Sequence, residues 1–212
     1  MQTTLLASLE AVLDIPEIFG YVFIFVLGAC IGSFLNVVIH RLPIMMERQW
    51  AQEVAAFREE SLPEQPRFNL MVPRSRCPHC GHQISALENI PVISWLALRG
   101  KCRACKAPIS IRYPLVELAT AGLSLLIFLS FGATAHMLAA LVLLWALIAL
   151  TMIDFDTQLL PDDITLPLLW AGLLFNIVNG FTPLSDAVLG AAIGYLALWS
   201  VFWLFKLATG RE

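Results

Sequence analysis

The chain has 212 residues, of which 58% are hydrophobic and 14% charged, against roughly 25% charged in ordinary soluble domains. That composition excludes a typical soluble domain, and a net charge of −3 with no basic stripe outside one loop argues against nucleic acid as a partner. Apolar stretches near the roughly 20 residues needed to cross a bilayer recur along the sequence, so the expected fold is an all-α polytopic membrane protein with about five transmembrane helices.

Residues 1–18 carry Glu10, Asp14 and Glu17 but no Lys or Arg, so they lack the basic head of a cleavable signal peptide and are expected to remain as an external N-terminus. The first span is expected over 19–39. Inside it, "GACIG" (Gly28 to Gly32) spaces two glycines four apart, which lets helix backbones approach closely in a membrane. Cys30, alone in this span, reads as a small packing residue rather than a reactive thiol. Residues 40–113 hold all of the 13 Lys and Arg residues except Lys206 and Arg211, a bias that places the segment in the cytoplasm and the N-terminus on the periplasmic side.

This cytoplasmic segment divides in two. Met45 to Pro66 is polar and charged, with Trp50, Val54 and Phe57 at helical spacing. It reads as an amphipathic helix lying on membrane lipids or on the next module. Asn69 to Ser110 is richer in Cys, Pro, Gly and aliphatics, which suggests a compact unit too small to hold itself together by a core alone.

That unit contains Cys77, Cys80, Cys102 and Cys105 as two Cys-x-x-Cys hooks. Each hook closes a tight turn that points two sulfurs at one ion, so the pair predicts a tetrahedral zinc site. Gly81 and Lys106 follow the second cysteine of each hook, at a position typical of a knuckle turn. Disulfides are the alternative, but a reducing cytoplasm disfavours them. His79 and His82 could replace a thiolate, although four cysteines already complete the shell. With no open position the zinc is expected to be structural, and to supply folding energy that the small unit lacks.

The remaining spans are expected at 114–131, 137–153, 164–178 and 187–207, with Pro167 in the first turn of the fourth and "GAAIG" (Gly190 to Gly194) repeating the packing spacing in the fifth. In these boundaries, 114–212 holds transmembrane helices 2–5 and an acidic loop, "IDFDTQLLPDD" (Ile153 to Asp163), with Asp154, Asp156, Asp162 and Asp163. Asp162 or Asp163 would cap free amides and suit the positive end of the following helix. Asp156 reads either as a solvated loop residue or as part of a site. Asp154 continues the apolar run in helical register, at the edge of the hydrocarbon. Desolvation and neighbouring negative charge would raise its pKa, as a proton-handling carboxyl requires. Glu117, one turn into the second span, is a further candidate, with snorkelling to the interface as its plain reading. Two chemistries fit: aspartyl proteolysis, in which two carboxyls share one proton, and cation binding by hard oxygen ligands. A cation- or proton-coupled transporter and a scaffold that docks partners on its zinc module remain open on the residues alone.

Taken together, "GSFLNVVIHRLP" (Gly32 to Pro43), the paired hooks, "RYPLVELAT" (Arg112 to Thr120), "IDFDTQLLPD" (Ile153 to Asp162) and "LWSVFWLFKLATGRE" at the end resemble the bacterial type IV prepilin peptidases. The resemblance implies a bifunctional inner-membrane enzyme of the GxGD aspartyl protease type. Such an enzyme removes the short basic leader of type IV prepilins and type II secretion pseudopilins, whose substrates carry a transmembrane helix. It then methylates the new N-terminal residue with S-adenosylmethionine. The resemblance maps the first catalytic aspartate onto Asp154 and the zinc ligands onto Cys77, Cys80, Cys102 and Cys105. It leaves the methyl-donor residues unassigned. The family's second aspartate belongs to a Gly-x-Gly-Asp motif expected after the fifth span, and no such motif occurs in these 212 residues. The polypeptide as written is therefore expected to be proteolytically inactive alone.

Overall fold

A computed structural model describes residues 17–61, 63, 65–178 and 180–210. The expected external segment, with Glu10 and Asp14, lies outside the described residues apart from its last two positions, and so does Arg211. Among the described residues six α-helices run in order: α1 (Glu17–Phe57), α2 (Ile93–Ala97), α3 (Arg112–Phe131), α4 (Ala135–Thr157), α5 (Asp162–Ile177) and α6 (Leu184–Thr209), with a 3-10 turn at Leu87–Asn89. Among the described residues there is no strand, only two isolated bridges, Arg76 with Gln83 and Lys101 with Pro108. Four helices among the described residues, α1, α3, α4 and α6, are long and apolar enough to cross a membrane.

The described residues up to Pro161 form one compact unit, in which α1 packs most extensively on α3 and both contact α4. The "GACIG" spacing acts as expected. A Cβ on Gly28 would lie 2.8 Å from the Ala121 backbone, and one on Gly32 would lie 2.7 Å from the Cα of Glu117. Only glycine lets the two helices meet that closely, with small Thr120 and Ser124 opposite. Nearer the other end of α1, Ile24, Met137 and Leu141 form a buried apolar cluster flanked by Leu27, Ile127, Phe128 and Trp145. Polar groups inside are satisfied locally: the Trp145 indole donates to Ser124 Oγ at 3.0 Å and the Thr120 hydroxyl to the Val116 carbonyl at 2.7 Å. Such pairing is required where no water is available. Thr134 starts α4 by accepting the Met137 amide at 3.2 Å, so the helix begins two residues before the apolar run does.

Two expectations change. The amphipathic stretch from Met45 is not a separate helix but the continuation of α1, which runs 41 residues through Pro43. The segment after α1 folds back along it and holds this extension. Buried Arg41 donates to the carbonyls of Asn69 at 2.9 Å and Pro73 at 2.7 Å. The Phe68 ring receives the guanidinium of Arg48 at 4.5 Å and that of Arg41 at 5.6 Å. Cys30, expected to pack, is exposed, because its side of α1 is turned away from the contact made by Gly28 and Gly32.

Asp162–Glu212 is the second unit. Its α5 has 16 residues, a rise of about 24 Å against a hydrocarbon core of about 30 Å, so the expected fourth span is the one that falls short. Within this unit the second glycine pair meets no packing partner among the described residues: a Cβ on Gly190 or Gly194 has nothing within 4 Å.

Gly32→Ala should therefore destabilise the 212-residue chain by about 1–3 kcal/mol, since helix backbone rather than a flexible side chain must yield. Gly194→Ala should leave stability unchanged or slightly raised. Thermal unfolding of both variants in one detergent is the check; equal losses would contradict the packing.

A four-cysteine centre and an acidic helix end as candidate sites

The two Cys-x-x-Cys hooks fold as near copies of each other. In the first, the Cys77 amide donates to the His82 carbonyl at 2.9 Å and the Gly81 amide to the Cys77 carbonyl at 2.9 Å. In the second, the Cys102 amide donates to the Ala107 carbonyl at 2.8 Å and the Lys106 amide to the Cys102 carbonyl at 3.0 Å. Gly81 and Lys106 both take a positive φ, +72° and +62°, which is where the sequence put the knuckle turns. Glycine adopts that conformation freely; lysine does so at a cost.

The hooks bring all four sulfurs within 4.8 Å of one another. Cys77 Sγ lies 3.8 Å from Cys105 Sγ, and Cys80 Sγ lies 4.0 Å from Cys102 Sγ. Sulfurs about 2.3 Å from one tetrahedral ion are separated by about 3.8 Å, so the donor set and spacing fit a metal. The electrostatics ask for one. Amides of Cys80 and His79 pull the Cys77 thiol down to about 7, and those of Cys105 and Ala104 lower Cys102 likewise. At Cys80 the His82 amide favours the thiolate, yet burial and the sulfurs of Cys105, Cys77 and Cys102 outweigh it and push the thiol up to about 11. Four thiolates this close cannot all ionise without a cation among them. His82 is not a ligand; its Nε2 lies 3.2 Å from Glu88 Oε1.

Glu88 pins the first knuckle's flank. The Ser85 amide, then the Ser85 hydroxyl and His82, hold its carboxyl at about 2. Because that value is depressed, this turn's contribution is complete above the ordinary value of 4.5 and is lost only as the pH falls through about 2.

Helix α4 carries the first two carboxylates. Asp156 is no loop residue: it lies in the last turn and takes both guanidinium nitrogens of Arg112, at 2.7 and 2.6 Å, across from α3. Asp154 lies just after fully buried Ile153 but is itself exposed, and among the described residues its carboxylate has no hydrogen-bond or ionic partner. Its backbone carbonyl accepts the Gln158 amide at 2.8 Å, where Gln158 at φ +55° ends the helix. In the second unit, Asp162 and Asp163 occupy the first turn of α5. They suit the dipole there, but in place of an amide cap Asp162 Oδ1 accepts the Thr165 hydroxyl at 3.4 Å.

Glu117 does not snorkel. It is buried at 8% exposure, and its carboxylate accepts the Val92 amide at 2.7 Å. This tie, the Arg112–Asp156 pair and the Arg41 contacts are what sequence reasoning missed. The first two join residues 25 and 44 positions apart. The one available signal was that Arg112 and Asp156 end neighbouring spans on the same side.

Two family matches cover most of the chain: residues 26–131 match the bacterial peptidase A24 N-terminal domain and residues 141–210 the type IV leader peptidase family. A prepilin leader peptidase/N-methyltransferase of Aeromonas hydrophila is 60% identical over 196 residues, 92% of this chain and 67% of that protein. Proteins of the same description from Stutzerimonas stutzeri and Burkholderia pseudomallei are 61% and 51% identical, over 88% and 96% of this chain and 65% and 67% of theirs. The chain thus spans about two thirds of the length of these relatives. No solved structure matches it.

Chelation or Cys102→Ser should release one equivalent of metal per chain and raise amide exchange across 69–110 while α1, α3 and α4 stay protected; unchanged exchange would contradict a structural metal. On acidification from about pH 7, metal should leave through protonation of the sulfurs before the Ser85–Glu88 turn melts. A metal-binding dye read beside amide exchange at Ser85 tests that order, and the reverse order would contradict it.

Proposed function

The chain belongs to the type IV leader peptidase family, and from that membership we propose that it is a membrane-embedded aspartyl endopeptidase acting on type IV prepilins and type II secretion pseudopilins. It removes their basic leader, and the new N-terminus is then methylated. Asp154 is the catalytic carboxyl contributed by these residues. In the reaction one carboxyl takes a proton from water while the other gives one to the peptide oxygen, so the pair shares a single proton at the start. The second carboxyl is that of a Gly-x-Gly-Asp motif, which these 212 residues do not contain.

One observation carries the assignment of Asp154. Of the four acidic side chains, Asp162 and Asp163 are favoured by a helix N-terminus and Asp156 by Arg112. Asp154 sits at the negative end of α4 with no compensating partner among the described residues, a placement that costs about 0.3–1 kcal/mol. A charge kept where local structure disfavours it is a functional signal. It also lies on the exposed side of α4, where a substrate helix and a second carboxyl can approach.

The metal assigned to Cys77, Cys80, Cys102 and Cys105 is zinc, in a structural role, because four sulfurs leave no open position for water or substrate. When bound, it supplies folding free energy to a unit too small to have much core. The relatives' name includes N-methyltransferase, and S-adenosylmethionine is the methyl donor that the family resemblance implies. The groove of about 540 Å³ between α3 and α4 does not fit it: Ser110, Arg112 and Thr151 reach its lining but expose little polar surface there, and Leu115, Val116, Ala119, Leu147 and Ile148 make it mostly apolar, unsuited to a sulfonium, ribose and carboxylate. No residue is assigned to methyl transfer. In this reading the protein is a multi-pass inner-membrane enzyme with residues 1–18 periplasmic, residues 40–113 cytoplasmic and 114–212 carrying the later spans. Its partners are pilin precursors and membrane lipids.

Leader cleavage by the 212-residue chain, beside the same chain extended through a downstream Gly-x-Gly-Asp, tests the dyad. Cleavage by the extended form alone is expected, and robust cleavage by the short form would overturn the proposed partner. In the extended form, Asp156→Asn should lower stability by up to about 1 kcal/mol, the worth of an exposed ion pair. It should leave cleavage within about tenfold, because Asp156 faces Arg112 rather than substrate.

A further inference from the structure

The four-cysteine unit presents a row of apolar side chains that nothing among the described residues covers. Leu87, Ile90, Ile93 and Leu96 recur every third residue through the 3-10 turn and α2, and Leu87, Ile93 and Leu96 are 76%, 64% and 62% exposed. In a free soluble loop such a row would be a liability. Here its depth is fixed. The amide between Pro91 and Val92 donates to Glu117 at 2.7 Å. Glu117 lies five residues inside α3, about 7.5 Å along the helix from Arg112.

The 20 residues of α3 rise about 30 Å, the thickness of the hydrocarbon core itself. Arg112 therefore marks the hydrocarbon boundary, and Val92 is held at or below that level. Val92 sits at φ +60°, ψ −50° with the Ile93 amide on the Pro91 carbonyl at 2.5 Å, a tight γ-turn that a β-branched residue disfavours. The far side of α2 is fixed too. The Trp95 indole donates to the Ile109 carbonyl at 3.1 Å, and the Trp95 ring fills the space beside Gly100, where a Cβ would come within 2.9 Å.

Charge agrees with depth. Between Asn69 and Ser110 the one acid is Glu88, engaged by Ser85 and His82. Arg74, Arg76, Arg99, Lys101, Arg103 and Lys106 make no ion pair among the described residues. Arg99 and Lys101 follow the apolar row directly.

We propose that the segment Leu87–Leu96 is an interfacial insertion that buries its apolar row in the cytoplasmic leaflet. Glu117 sets its depth, and the surrounding cations rest on anionic phospholipid headgroups. Buried apolar area and attraction to anionic lipid act together in such sites. The inference rests on α3 crossing the bilayer and on the cytoplasmic placement of residues 40–113 proposed above, and it is independent of the peptidase reading, since its test involves no cleavage.

The test uses the full enzyme in nanodiscs of phosphatidylethanolamine with phosphatidylglycerol, carrying a photoreactive benzophenone amino acid at Ile93 or at Leu96. The control position is exposed Gln52, near the end of α1, whose 41 residues rise about 60 Å and overshoot the bilayer twofold. Phospholipid adducts at 93 and 96 should exceed those at 52 by about fivefold or more, and should fall in discs of phosphatidylcholine alone. Glu117→Ala should reduce them, while Glu117→Gln, which keeps an acceptor, should not. Adduct yields equal to those at position 52 would overturn the proposal. So would adducts that pass from lipid to an added pilin precursor, which would make the row a protein-docking face.

Discussion

Much of this unit depends on two missing side chains. Gly28 and Gly32 let α1 and α3 touch backbone to backbone, and any Cβ there would occupy space already held by Ala121 and Glu117. Bilayers provide little hydrophobic drive for one helix to choose another, so close van der Waals approach takes its place. That contact fixes Glu117, and Glu117 in turn holds the Pro91–Val92 peptide. The position of the cysteine unit against α3 thus derives from a glycine spacing more than forty residues earlier in the chain.

The same geometry distinguishes the ionisable groups. Arg112 closes on Asp156 where α3 and α4 end together, Arg41 disappears under the returning segment 69–73, and Glu117 is buried against an amide. Each of these has a structural use that explains its cost. Asp154 has none, and it stands against the unfavourable end of its own helix. The functional reading rests on that contrast within a single chain and not on the number of acids.

How much was legible in the sequence depended on how local the signal was. The hooks were readable because each one is closed by hydrogen bonds within six residues of its own cysteines, and the turn positions Gly81 and Lys106 came from that spacing. Most spans were readable from length and composition. Pairings between distant segments were not: neither the bond from Val92 to Glu117 nor that from Arg112 to Asp156 leaves a periodic trace. The continuity of α1 through Pro43 was missed for a related reason, because the contacts that support the extension come from Asn69, Pro73 and Phe68. The two glycine pairs show the limit of motif reading. Identical spacing packs at Gly28 and Gly32 and meets open space at Gly190 and Gly194, since spacing permits a contact but does not supply the opposing helix.

The most direct measurement replaces Asp154 with Asn in the complete enzyme and tracks, on one preparation, leader removal from a pilin precursor and methylation of a precursor already cleaved. Loss of a proton-handling group should lower cleavage by at least about a hundredfold, with metal content, melting temperature and methylation unchanged. Normal cleavage by this variant would contradict the account at its centre.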